Sequence, residues 1–170
     1  DYAILDKFDY CKDFISVEKR TALDRLILSR LSSVAEIYHN QYVSWEFHKA
    51  ARELENFVIN DLSNWYVRRS RRRLWDEAES HDKLACQSTL HEVLTTVSKL
   101  MAPIAPFMPD KIHFDLTGSS VHTADWPLGS DLVPKNLPPQ DLSLEKKMSI
   151  VRTLAETGRK IRVAVKRRQR

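Results

Sequence analysis

Glycine is scarce in this 170-residue chain, at 3 residues, and proline is modest at 7. That is too little turn chemistry for a loop-rich sandwich or barrel. It also leaves no Gly-rich phosphate loop, and no Gly-x-Ser-x-Gly nucleophile turn occurs. The two cysteines, Cys11 and Cys86, lack CxxC spacing and suit a reducing cytoplasm better than a disulfide framework. No apolar run approaches the roughly 20 residues that span a membrane. The N-terminus, Asp1-Tyr2-Ala3-Ile4-Leu5-Asp6, has no basic stretch leading into an apolar one, so it is not read as a secretory signal. There is no initiator Met, and the chain is expected to be a piece of something longer. Metal chemistry finds little support. His39, His48, His81, His91, His113 and His122 never stand four apart, and His91-Glu92 lacks the second His of a zinc-hydrolase helix. Scattered surface histidines are expected.

What is present is one domain's length of mixed sequence, 42% hydrophobic and 29% charged. The net charge of +4 conceals two basic runs. Arg68, Arg69, Arg71, Arg72 and Arg73 form the first, and Arg159, Lys160, Arg162, Lys166, Arg167, Arg168 and Arg170 the second, neither with an acid. These hold 12 of the 27 basic residues, so the remainder is an acidic body with 15 basic against 23 acidic residues. Clustered basic charge makes a focused field, for which phosphate is the commonest partner. The alternative is a solvated helical face.

Period-2 alternation is nearly absent, while the helical period recurs. A first helix is expected over about 21–39, opened by the capping pair Thr21 and Asp24, with Leu23, Ile27, Leu31, Val34 and Tyr38 inward. A second runs over about 46–75 on the stripe Phe47, Ala51, Leu54, Val58, Leu62 and Trp65. A third covers about 82–102, with Cys86, Leu90, Val93, Leu94, Val97 and Met101 inward, ending at Pro103. A short helix near 109–116 stops at Gly118. Residues 117–140 read as a surface excursion, with Val121-His122 an isolated extended stretch. A last helix over about 141–166 carries Leu144, Met148, Val151, Leu154, Ala155, Ile161 and Val165 on one side. None of these helices can bury its stripe alone, so the expected fold is an all-α helical bundle with a loop-rich excursion and a C-terminal helix. The division is 1–19 as lead-in, 20–118 as bundle, 119–140 as loop or linker, and 141–170 as a helix that completes the bundle or starts a further region.

On a wheel centred on Trp65, Arg68 falls near about −60°, Arg72 near about −20° and Arg69 near about +40°. These three continue the apolar stripe, which implies that the helix projects beyond the bundle and meets solvent or a polyanion there. Arg suits phosphate through its planar donor fork and bases by stacking. Trp65, Tyr66 and Trp75 flank the run, and unpaired RNA bases stack on such rings. Against RNA stand two ion pairs available four residues on, from Arg72 to Asp76 and from Arg73 to Glu77. The C-terminal run is open between a phosphate-contacting helix, a tail and a face that covers a missing neighbour.

Several segments resemble one family. Leu23-Asp24-Arg25-Leu26-Ile27-Leu28-Ser29-Arg30-Leu31 resembles the DRWILSRL helix of the class Ia isoleucyl, valyl and leucyl synthetases, departing at Leu26 where Trp is usual. The stretch from Asp61 to Trp75, DLSNWYVRRSRRRLW, is similar to the isoleucyl-type signature. Met101 to Met108, MAPIAPFM, resembles a further family segment, as do Ser120 to Pro127 and Val151-Arg152 through Gly158-Arg159. Lys147-Met148-Ser149 shares three letters with the KMSKS loop of those enzymes, but Ile150-Val151 follow and Met148 lies on an apolar helical stripe, which makes it packing.

The resemblance implies the anticodon-binding domain of an isoleucine–tRNA ligase, without the catalytic, HIGH, KMSKS and editing parts of the whole enzyme. No catalytic residue and no cofactor are then expected in this chain; ATP with magnesium belongs to the parent enzyme. The implied partners are tRNA(Ile), through its anticodon stem-loop, and the other domains of the parent. A cytoplasmic monomer with no membrane contact is expected. The expected RNA-contacting residues are Trp65, Tyr66, Arg68, Arg69, Arg72 and Arg73, with Arg30 added by its position in the first family helix. The alternatives are a valyl-type domain, or a helical protein–protein module whose arginines dock an acidic partner.

Overall fold

A computed structural model describes residues 9–75, 80–128 and 140–165. They are helical with no β-strand among them, and they divide into two units that meet between Gln140 and Asp141.

The first unit is a helical bundle. Its long helix α1, Ala22–Val43, starts at Thr21, whose hydroxyl accepts from the Asp24 amide while Asp24 accepts from the Thr21 amide. This reciprocal cap satisfies two of the donors a helix start leaves open. The helix then buries Ile27, Leu28, Leu31, Val34, Ala35 and Tyr38. Burial of each Leu, Ile or Val among them contributes about 1.5–3 kcal/mol. A tight turn, with Trp45 at φ 63, leads into α2, Phe47–Asn56. The chain continues without a break through a π-helical segment, Phe57–Val67, into α3, Arg68–Leu74. This long unit returns alongside α1, so that the end of α3 lies by the start of α1. Helix α4, His81–Met101, is capped by the Ser80 hydroxyl and completes the core with Cys86, Val93, Val97 and Leu100. Helix α5, Phe107–Thr117, doubles back along α4 and ends at Gly118, which takes the left-handed φ of 75 that a residue with a Cβ resists.

The stripe expected for α1 is the one found, Leu23 being half-buried at its start. On α2 the inward residues are Ala50 and Leu54, while Phe47 is exposed and Ala51 half-buried. Through the π segment the buried positions are Phe57, Asp61, Leu62, Trp65 and Tyr66. Their spacing follows a wide turn of roughly 4.4 residues, set by hydrogen bonds to the fifth residue on. A 3.6-residue wheel misplaces them.

The described residues ahead of α1, from Asp9 on, pack against the bundle. Tyr10–Asp13 forms one helical turn and Val17–Lys19 a 3-10 turn. Arg20, buried, donates to both carboxylate oxygens of Glu92 at 2.7 Å and to the Ile15 carbonyl at 2.7 Å. Tyr10 adds its hydroxyl to Glu92 at 2.8 Å and stacks on His91. The described part of the excursion also packs. Val121 and Leu128 are buried, and Trp126 lies against Tyr38 and Tyr42. Val121–Thr123 is a 3-10 turn instead of the expected extended stretch, because the Ser120 hydroxyl caps it and Asp110 holds the Ser120 hydroxyl and the Val121 amide. His113 is buried rather than superficial and donates Nδ1–H to the Ser119 carbonyl.

The second unit is helix α6, Leu142–Ala164, capped by the Asp141 side chain at the Leu144 amide. No residue on it is buried, and Val151, Leu154 and Ile161 of the expected inward side are exposed. The last basic residues of the chain, Lys166 to Arg170, lie outside the described residues, as do Asp76, Glu77 and positions 129–139.

Candidate nucleic-acid interface

Helix α3, together with the end of the π-helical segment that leads into it, has two chemically distinct sides. Tyr66 is fully buried and donates its hydroxyl to Asp24 Oδ1 at 2.6 Å. Ser70 is buried on the same side, one turn on. Arg73 follows, donating Nη1 to Asp24 Oδ1 and Nη2 to Asp24 Oδ2, each at 2.8 Å, and Nε to Asp82 at 2.8 Å. Two expected RNA contacts are corrected here. Tyr66 offers no face to a base, and the Arg73 guanidinium is committed to α1 and α4. Its partners among the described residues are Asp24, 49 positions away, and Asp82; Glu77, the partner expected from the sequence, lies outside those residues.

Asp24 is completely buried, yet its carboxyl is held below the usual carboxylate range. Burial pushes it up, but hydrogen bonds from Arg73, Tyr66 and Thr21 and the Arg73 charge more than offset this. Burial beside Cys86 and Asp24 pushes the Tyr66 phenol well above its ordinary value, so it remains a donor.

The inward side of α3 is therefore centred on Tyr66, not on Trp65. Stepping about 100° per residue from Tyr66 puts Ser70 near about +40° and Arg73 near about −20°, both inward. Trp65 sits at the edge of that side, with 8% of its surface exposed. Arg68, Arg69 and Arg72 share the sector of Trp65, as expected, but it faces solvent within the helix's own length. Arg68, Arg69, Arg71 and Arg72 are all exposed. The Arg69 guanidinium carbon lies 3.1 Å from the Trp65 ring centroid. This cation–π contact covers the indole, so the plane turned outward at this point is the guanidinium. Among the described residues no carboxylate pairs with Arg68, Arg71 or Arg72. Trp75 is exposed just beyond the run.

Arg30 comes from α1 onto the neighbouring part of this surface. Its Nε donates to Asp61 Oδ2 at 3.3 Å, and its Nη2 lies 3.7 Å from Glu53 Oε1. Asp61 stands one turn before Trp65. Sequence reasoning missed Asp61 and Glu53 as neighbours of Arg30, since nothing local ties positions 31 and 23 residues apart. Among the described residues no group of His, Cys, Asp and Glu could hold a metal ion, and no helix is long and apolar enough to cross a membrane.

A cluster of exposed arginines on a helical bundle, one of them stacked on an aromatic ring, is a surface with the charge and planarity that suit a polyanion. The family model described as the anticodon-binding domain of tRNA ligase matches residues 24–170, and the chain belongs to that family. Among curated proteins it is similar to isoleucine–tRNA ligases. One from Bacillus thuringiensis is 42% identical over 160 residues, covering 93% of this chain and 14% of the ligase. One from Cytophaga hutchinsonii is 40% identical over 170 residues, covering 96% of this chain and 15% of the ligase. One from Methanothrix thermoacetophila is 38% identical over 182 residues, covering 98% and 17%. The chain thus spans a small part of the length of the relatives it matches.

Proposed function

We propose that this chain reads the anticodon stem-loop of tRNA(Ile) for an isoleucine–tRNA ligase, whose whole enzyme attaches isoleucine to that tRNA with ATP and magnesium. The observation that carries the reading is the two-sided helix α3. Tyr66 and Arg73 lock one side to Asp24, and this holds Arg68, Arg69, Arg71 and Arg72 outward on a rigid base. Exposed arginines neutralise phosphates, which supplies affinity without sequence information. Arg69 on Trp65 offers a flat cation on which an unpaired base stacks. The similarity to isoleucine–tRNA ligases over most of the chain supports isoleucine as the specificity, ahead of a valyl-type domain. The parent is read as a cytoplasmic monomer whose other domains supply ATP binding and the chemistry.

The test is a titration of the 170-residue chain with anticodon stem-loop hairpins of tRNA(Ile), tRNA(Val) and tRNA(Met) at several salt concentrations. The expected result is tightest binding to the isoleucine hairpin, with affinity falling steeply as salt rises. Equal affinity for all three, or affinity flat in salt, would overturn the reading and favour docking of an acidic protein.

A further inference from the structure

The Arg30 cluster is built differently from the arginines of α3, and the difference points to what it touches. Arg30 lies between two carboxylates, at 3.3 Å from Asp61 and 3.7 Å from Glu53. The three side chains keep 30%, 28% and 12% of their surface for Arg30, Glu53 and Asp61, so the group reaches solvent. Two carboxylates thus stand against the Arg30 guanidinium. A phosphate brought here would meet two carboxylates for one guanidinium, and like charges at close range oppose docking. Among the described residues, Arg68, Arg71 and Arg72, one to three turns along the same helical unit, have no such counter-charge. A neutral nucleobase suffers no charge repulsion at the Arg30 cluster. Carboxylates only accept hydrogen bonds, so the base edge they select must donate. Guanine offers adjacent imino and amino N–H groups that match the two oxygens of one carboxylate most fully.

We propose that Glu53 and Asp61 are specificity-determining residues of the RNA surface. They neutralise Arg30 as a phosphate clamp and make its neighbourhood a reader of an unpaired base edge rich in N–H donors. Asp61, the more buried, orients the Arg30 guanidinium; Glu53, the more exposed, meets the base. This inference rests on the proposed anticodon function and adds to it the division of the surface into a phosphate-binding part and a base-reading part.

The experiment uses the 170-residue chain and a set of isoleucine-type anticodon hairpins in which each anticodon base is replaced in turn, including inosine for guanine, which removes only the amino group. The expected result for Glu53→Gln is a loss of about tenfold in discrimination at one loop position. Affinity for the substituted hairpin should not fall with it, because a negative charge has been removed. Asp61→Asn should move the same ratio. If Asp61→Asn lowers the melting temperature, Glu53→Gln, whose contact is the looser, carries the test alone. Equal weakening of all hairpins by Glu53→Gln, or no change in any ratio, would overturn the inference while leaving RNA binding intact. If the unaltered chain binds no hairpin, the anticodon reading falls and this inference with it.

Discussion

Arg73 and Asp24 face each other through two parallel hydrogen bonds of 2.8 Å, a fork-to-fork pair that ties the end of the arginine run to the first turn of α1. The most basic stretch of the bundle is thereby anchored by one of its own members. The Tyr66 hydroxyl completes the Asp24 shell at 2.6 Å.

Removing one partner of this pair leaves the other charge uncompensated. Arg73→Ala is expected to lower stability by about 3 kcal/mol, near the lower end for broken buried pairs because part of Arg73 reaches solvent. Arg72→Ala, on the exposed side, should stay within about 0.5 kcal/mol. The RNA results should split as well. Arg72→Ala should reduce the dependence of log affinity on log salt by about one unit, as loss of one phosphate contact does. Urea denaturation of both variants, with a hairpin titration of Arg72→Ala, checks this. Equal stability losses would remove the assigned division of the run.

His91 makes stability sensitive to mild acid. It stacks on Tyr10 and donates Nε2–H to the Leu116 carbonyl at 3.2 Å. Burial lowers its pKa below the ordinary histidine value, and nearby His113 adds to this, although the Leu116 carbonyl and Glu92 pull it up. The unfolded chain therefore takes up a proton near pH 6.5 that the folded chain takes up only lower. Stability should be fully present above about pH 6.5 and should decline as pH falls through the folded pKa. Thermal melts at closely spaced pH values, on this chain and on His91→Phe, should show that part of the slope vanish in the variant.

Arg20 and Glu92 form a second deeply placed ion pair. Arg20→Met alone should cost about 3–5 kcal/mol, since it strands the Glu92 carboxylate beneath the segment ahead of α1. The double change Arg20→Met with Glu92→Leu should recover much of that loss, because two apolar side chains of similar volume replace the pair. Denaturant midpoints of the single and double variants decide it. A double variant no better than the single would mean that the hydrogen bonds of Arg20 to Ile15 and Thr89 carry the effect.

Much of the bundle was legible in the chain because its signals are local. The Thr21 and Asp24 cap, the stripe from Ile27 to Tyr38 and the stop at Gly118 are each carried by residues a few positions apart. The all-helical class followed from the same period. What escaped was non-local or off-period. Asp24 looks like an ordinary capping acid, and nothing near it announces Arg73 or Tyr66. Glu53 and Asp61 look like solvated charges until α1 brings Arg30 between them. Tyr66 reads as an exposed neighbour of Trp65 only while every turn is given 3.6 residues. The exposed arginines Arg68, Arg69 and Arg72 were recoverable because their relation to Trp65 spans less than two turns of helix.

The wide segment Phe57–Val67 decides the direction in which those arginines emerge. Its 11 residues, wound at roughly 82° each, sweep about 900°, which about nine residues cover at the ordinary 100°. Length and winding are therefore interchangeable here. A chain about two residues shorter, wound as an ordinary α-helix, would turn its arginines to the same azimuth relative to Ala50 and Leu54. A chain of the present length that lost the wide winding would rotate them by about 200°, carrying Arg68 and Arg72 toward α1 and α4. The segment acts as a phase adjuster between a helix that packs and a helix whose arginines face solvent.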